Sequence, residues 1–242
     1  MSKLPQESSV SLRLRDVPAV LRGDEHALSH WLEHAQLRSV GVCLVVILIG
    51  GGLGGAAMGA WRSPEQALYT TIKLPLILLL TMFGNAMLNG LLAPLLGLNI
   101  GIRQSTLAIL FSFAIAALIL GAFSPVILFL VWNLPPMSDR AGQGLAYALM
   151  MVSQVAVIGL AGFAANLRLL RLLRCLGGRV IAGRVLLAWL AGNFLLGTQL
   201  TWLARPFFGS PGLAVEFLRH DALRGNFFEA IWYNLKILFT HS

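Results

Sequence analysis

Apolar residues run along this chain in five long blocks separated by short polar stretches. The blocks cover residues 39–61, 74–98, 106–132, 143–167 and 185–204. A helix rises about 1.5 Å per residue, so about 20 apolar residues cross the hydrocarbon of a bilayer. Each block is long enough, and the pattern predicts five transmembrane helices. The third is long for one crossing and carries Gly121 and Ser124-Pro125. Proline frees a backbone carbonyl and bends a helix without ending it when that carbonyl finds another partner. The expectation is one kinked or tilted helix there.

Polar flanks complete the outline. Residues 1–38 form a polar arm, 39–204 the transmembrane domain, and 205–242 a loop with a final helix. In the arm, Leu21, Leu28, Trp31, Leu32 and Ala35 share one helical face, as an interfacial helix requires. At the other end Asn226 and Glu229 make a capping box, and Phe228, Ile231, Trp232, Leu235 and Leu238 line one side of the helix they start. The fold class is therefore all-α, a polytopic transmembrane bundle of about five spans with amphipathic interfacial helices at both termini. The first block is too long for the core of a cleaved signal peptide and reads as a signal anchor.

Composition agrees. Hydrophobic residues make up 57% of the 242 and charged residues only 12%, about half the share of a soluble domain. The net charge of +8 invites a nucleic-acid reading. The arginines, however, sit beside the apolar blocks, where they fix topology. With five spans, eleven Lys and Arg fall on the amino-terminal side, among them Arg38, Arg103, Arg168, Arg171, Arg174, Arg179 and Arg184. Seven fall on the other, namely Arg62, Lys73, Arg140, Arg205, Arg219, Arg224 and Lys236. The amino terminus is expected in the cytoplasm and the carboxyl terminus outside a bacterial inner membrane. Trp61, Trp132 and Trp202 fall at the outer ends of spans and Trp189 at an inner end, as an aromatic belt would place them. Cys43 and Cys175 read as small core residues rather than a disulfide.

Within the spans, Gly50, Gly51, Gly54, Gly55 and Gly59 make overlapping small-xxx-small steps. These allow close backbone approach, either within the bundle or against a partner subunit. Thr81, Asn85 and Asn89 form one stripe at four-residue spacing, and Gln154, Asn193 and Gln199 add polar groups in later spans. In hydrocarbon such groups turn inward and hydrogen-bond one another, or line a polar path. No ionisable residue falls in the middle of a span so delimited, which weighs against ion-coupled transport.

Outside the spans, His26, His30 and His34 recur every four residues opposite the apolar face of the arm. Two imidazoles at that spacing suit one zinc, with Glu25 or Glu33 as a further ligand; a solvated polar face uses the same residues. Arg168, Arg171 and Arg174 suit anionic lipid headgroups as well as topology, and Gly177-Gly178 reads as a helix stop. Arg205, Glu216, Arg219, His220, Asp221 and Arg224 either form a small polar site or pair with one another and hold the loop on the bundle. No His-Glu-x-x-His, Gly-x-Ser-x-Gly or paired intramembrane acid is present, so no catalytic residue and no cofactor is expected.

Five spans, a polar amino-terminal arm and a short tail resemble the Yip (Ypt-interacting) membrane proteins and their bacterial relatives. The stretch from Ser63-Pro64 through Lys73-Leu74-Pro75-Leu76 to Thr81 is similar to the approach to span two in the bacterial members. The short acidic-tyrosine signature of eukaryotic members is missing from the arm. The resemblance implies a non-enzymatic protein that organises a membrane or its complexes. The expected function is a structural subunit or assembly factor, with membrane lipids and other membrane subunits or further copies of itself as partners and no nucleic acid. The alternative is a passive transporter or channel for a lipid or small solute.

Overall fold

The computed structural model describes residues 37–135, 143–207, 214–226 and 228–229. The arm with His26, His30 and His34, and the final helix beyond Glu229, lie outside the described residues. Most of those described are helical, with no strand among them. Four helices are long and apolar enough to cross a membrane. They are α1 (Leu37–Ala60), α2 (Pro64–Leu95), α3 (Ile102–Asn133) and α4 (Gln143–Leu203).

The helix limits follow from local chemistry. Ser63 is the N-cap of α2, its Oγ accepting from the Gln66 N–H at 3.0 Å, and Pro64 takes the first helical position, where a missing N–H costs nothing. α2 therefore starts at 64, ten residues ahead of the apolar block expected from 74, and Lys73 becomes part of it. α2 ends in a tight turn in which Gly97 takes a φ of 91° and Leu98 N–H reaches Ala93 O at 3.0 Å, satisfying a carbonyl the helix end would orphan. α3 is one continuous helix through Pro125. The carbonyl of Gly121, four residues back, loses its usual donor to the proline, and the Ser124 hydroxyl donates to it instead at 2.7 Å.

α1 is wedged between α2 and α3, and its glycines divide between them. A Cβ on Gly50 would run into the backbone of Ala117, and one on Gly121 would lie 2.8 Å from Gly50 Cα. Gly54 faces Leu120, also in α3. Gly51 faces Pro75, while Gly55 and Gly59 lie against Thr70 and Gln66, all in α2. The small-residue steps thus act within this chain, bringing three backbones close enough to gain dispersion contact, since lipid removes the hydrophobic drive for helix association.

α4 spans 61 residues but has one non-helical residue, Gly178, at φ 77° and ψ 175°, a region open in practice to glycine. The chain reverses there. Ala146 and Met150 pack with Ala57, Trp61 and Ile127 at one end of the bundle; Gly177 meets Leu98 at the other; Asn193 is back beside Asn85, and Pro206 beside Gln66. The fold is thus up-and-down throughout, with two antiparallel arms in α4.

The outer surface is apolar. Leu48, Phe83, Phe129, Val152, Phe163, Leu187 and Phe194 are all exposed, as lipid-facing side chains must be. Two tryptophans depart from the expected belt. Trp132 is 79% exposed at the end of α3, as an interfacial indole should be, but Trp189 is 0% exposed, inside the main core cluster with Leu172, Leu173 and Val185. The reversal at Gly178 turns its face inward. Trp61 is also buried and donates to Pro135 O at 3.2 Å. Cys43 is buried and Cys175 exposed, and the two are not joined in a disulfide.

Candidate functional site

Polar groups inside the bundle fall into three sets. The first is the stripe of α2 against the second arm of α4. Asn85 Nδ2 donates to Asn193 Oδ1 at 2.6 Å. Asn89 Nδ2 donates to the Asn85 carbonyl at 2.8 Å and also to Asn85 Oδ1. Gly192 sits over Asn85, where any side chain would collide with its amide. The four-residue spacing on α2 aligns Asn85 and Asn89, and the reversal of α4 brings Asn193 to meet them. Gln199 is half-buried and lies apart from this set.

The second set lines an interhelical cavity of about 440 Å³. Its wall is mostly apolar, with Leu74, Ile77 and Leu78 from α2, Phe113, Ala116 and Leu120 from α3, and residues of both α4 arms. Thr81, Ser112, Gln154, Asn166, Asn193, Thr198 and Thr201 punctuate it. Three of their atoms are buried without any hydrogen-bond partner: Thr81 Oγ1, Gln154 Nε2 and Asn166 Oδ1. The Asn166 amide nitrogen is spoken for, donating to Gly162 O at 2.7 Å, so only its oxygen is free. Val155, Ile158 and Phe194 line the cavity and are also exposed. The mouth therefore opens sideways between the arms of α4, onto the apolar surface.

The third set closes the end of the bundle where α4 finishes. Lys73 is 1% exposed. Its Nζ donates to Pro206 O at 2.9 Å and lies 5.1 Å from the Phe217 ring centroid and 5.8 Å from that of Phe207, within the range of a cation–π contact. Gln66 Nε2 donates to Pro206 O and Phe207 O, each at 3.0 Å. Tyr69 meets Phe217 edge-on at 5.4 Å. Arg205 stacks on Trp202 at 3.9 Å and pairs with Asp221 at 3.4 Å, an exposed ion pair of modest worth. Residues 205–207 are thus strapped over the end of α2, and Phe207 reaches the cavity wall.

At the opposite end Arg103, Arg171, Arg174, Arg179 and Arg184 are exposed and Arg168 is half-buried, around the turn after α2 and the break at Gly178. Asn226 Oδ1 accepts from Glu229 N–H at 2.9 Å, the N-cap bond its spacing suggests. Among the described residues no three His, Cys, Asp or Glu converge as metal ligands do. Gln66, Thr70 and Asn166 are inward polar residues that sequence reasoning did not single out, and Lys73 was read there only as a charge beside a span. Lys73 and Gln66 sit seven apart, two turns along one helical face, with Thr70 between them on the side that meets Gly55 and Gly59; that register is the signal that would have turned them inward.

Neither a protein family, nor a curated protein, nor a solved structure matches this chain.

Proposed function

We propose that this chain is a non-catalytic, multi-pass protein of a bacterial inner membrane that holds a lipid-like amphiphile between its helices. The cavity carries the proposal: about 440 Å³ falls within the range of about 300–1,000 Å³ usual for small-molecule sites, which are largely apolar with a few placed polar groups. Its mouth faces sideways, where a lipid chain enters from the bilayer without crossing water. Counting the two arms of α4 separately gives five crossings, with the arginine-rich end in the cytoplasm and the strap at 205–207 outside. The two ends of the chain then fall on opposite faces of the membrane. Binding of this kind suits a passive lipid pathway, and equally a subunit that uses lipid as a structural part.

The test is the lipid that leaves the membrane with the protein in mild detergent, identified by mass spectrometry. One lipid class should be enriched over the bulk membrane. Gly162 lines the cavity and has open space where a Cβ would go, so Gly162→Leu should fill it and remove the enrichment. Equal enrichment in the variant would sink the proposal.

A second reading, an organising subunit of a membrane complex, draws support from α4. Only 17% of its most apolar window is buried, against 33–44% in the other three helices, so it offers the widest free face to a neighbouring subunit. The likeness of residues 63–81 to the Yip family favours the same role. A single protomer mass after mild extraction, with no companion chains, would count against it.

A further inference from the structure

We infer that the amphiphile held in the cavity is anionic, and that Lys73 and Gln66, at the strap end of the bundle, are the seat of its charged head. The inference rests on the amphiphile reading above and names the class of that amphiphile.

Two donors from one face of α2 converge on a single oxygen. Lys73 Nζ lies 2.9 Å from Pro206 O, and Gln66 Nε2 lies 3.0 Å from the same atom. An ammonium carries three N–H donors. Beyond that one carbonyl, Lys73 has only the rings of Phe207 and Phe217 beside it. Among the described residues no carboxylate pairs with it. A buried ammonium that meets a neutral carbonyl and two rings recovers little of the hydration it gave up, and an apolar residue of its length would serve the bundle as well. An anionic oxygen in the place of Pro206 O would receive the same two donors as charge-assisted hydrogen bonds, which are shorter and stronger than those to a carbonyl. The strap thus fills the seat in the absence of ligand and gives way to an anion.

The seat adjoins the cavity. Leu74, next in the chain to Lys73, and Phe207, whose ring centroid is 5.8 Å from the ammonium, both belong to the cavity wall. Phe207 packs there against the cluster of Met58, Leu74, Leu120 and Ala161, so lifting residues 206–207 off Lys73 joins seat and cavity. No Lys, Arg, His, Asp or Glu lines the cavity itself. A charged head drawn further in would shed its hydration with no counter-charge to meet it. The head therefore stays at Lys73 while the acyl chains occupy the cavity and leave past the exposed mouth residues Val155, Ile158 and Phe194.

The experiment compares two probes that share their tails and differ in charge, dioleoylphosphatidylglycerol and dioleoylglycerol. Each is titrated into the full chain in neutral detergent and followed by native mass spectrometry. Phosphatidylglycerol should bind about tenfold more tightly than dioleoylglycerol. Lys73→Met should remove that preference and leave dioleoylglycerol binding as it was, while Gly162→Leu should abolish binding of both. Lys73→Gln, which keeps a donor without the charge, makes the same comparison if Lys73→Met fails to fold. Phosphatidylglycerol bound no more tightly than dioleoylglycerol would overturn the anionic-head inference and leave the amphiphile reading standing. So would a preference that both Lys73 variants keep, as headgroups on the arginines at the other end would give. Binding of neither probe, or binding that Gly162→Leu leaves untouched, would overturn both.

Discussion

Gln66 and Lys73 hold the same carbonyl, yet they differ in what their loss leaves behind. Gln66 is the donor to two carbonyls, those of Pro206 and Phe207. Replacing it with leucine orphans the second and weakens the hold on the first. Lys73 donates only to Pro206 O, which keeps Gln66 if the ammonium goes, and its charge is expensive to bury. Gln66→Leu is expected to lower stability by about 1–3 kcal/mol, and Lys73→Met by clearly less. Unfolding titrations of both variants in mixed micelles measure the order, and a larger loss for Lys73→Met would contradict it. These residues also mark where sequence reading stops. Span two looked as if it began after Lys73 because a lysine usually ends an apolar block, whereas Ser63-Pro64 supplies a better helix start ten residues earlier. Asn85 and Asn89 were readable as inward-facing from their spacing. Asn193 was expected to turn inward with them, but which of the polar groups it meets was not legible, because the reversal of α4 decides that.

Helix contacts in this bundle are set by missing side chains, and their positions carry unequal weight. A methyl on Gly50 meets the backbone of Ala117, which can yield only if α1 and α3 separate. A methyl on Gly41, nine residues earlier in α1, meets nothing within 4 Å. Gly50→Ala should cost about 1–3 kcal/mol through overpacking, and Gly41→Ala should be close to neutral. Thermal unfolding of the pair in one detergent checks the contrast. Gly178→Ala presents a different cost, since φ 77° and ψ 175° are strained for any side chain, by about 1–3 kcal/mol. Its expected effect is a looser join between the arms, seen as faster proteolysis near residue 178 with α1–α3 intact. The glycine steps were visible in the sequence, and Gly177-Gly178 was readable as a stop. That the steps serve α2 and α3 of the same chain was not legible, because small-xxx-small spacing records closeness and not the identity of the neighbour.

For the whole molecule, the odd number of crossings is the statement most open to test. On the proposed reading of five crossings, the two termini would lie on opposite sides, with the amino terminus in the cytoplasm by the arginine count. A phosphatase reporter, active only outside, should be active when fused after residue 204 and silent when fused after residue 100. Activity at both, or silence at both, would mean that α4 does not cross twice. The number of apolar blocks was plain from the sequence because block length is a direct reading of bilayer thickness. The cavity was not, since it arises where α2, α3 and both arms of α4 fail to close on one another, and no local pattern encodes a gap.

The reversal at Gly178 also bears on how the protein is made. Because the two arms of α4 join at Gly178 with no loop between them, the last part of the chain leaves the ribosome as a helical hairpin in waiting. The first arm carries Gln154 and Asn166, which are poor passengers in hydrocarbon by themselves. Its membrane entry is therefore expected to wait for the second arm, so that the pair partitions together and the earlier three helices receive it as one piece. With translation halted at residue 178 the first arm should stay open to added protease, and with translation carried through residue 207 both arms should be protected.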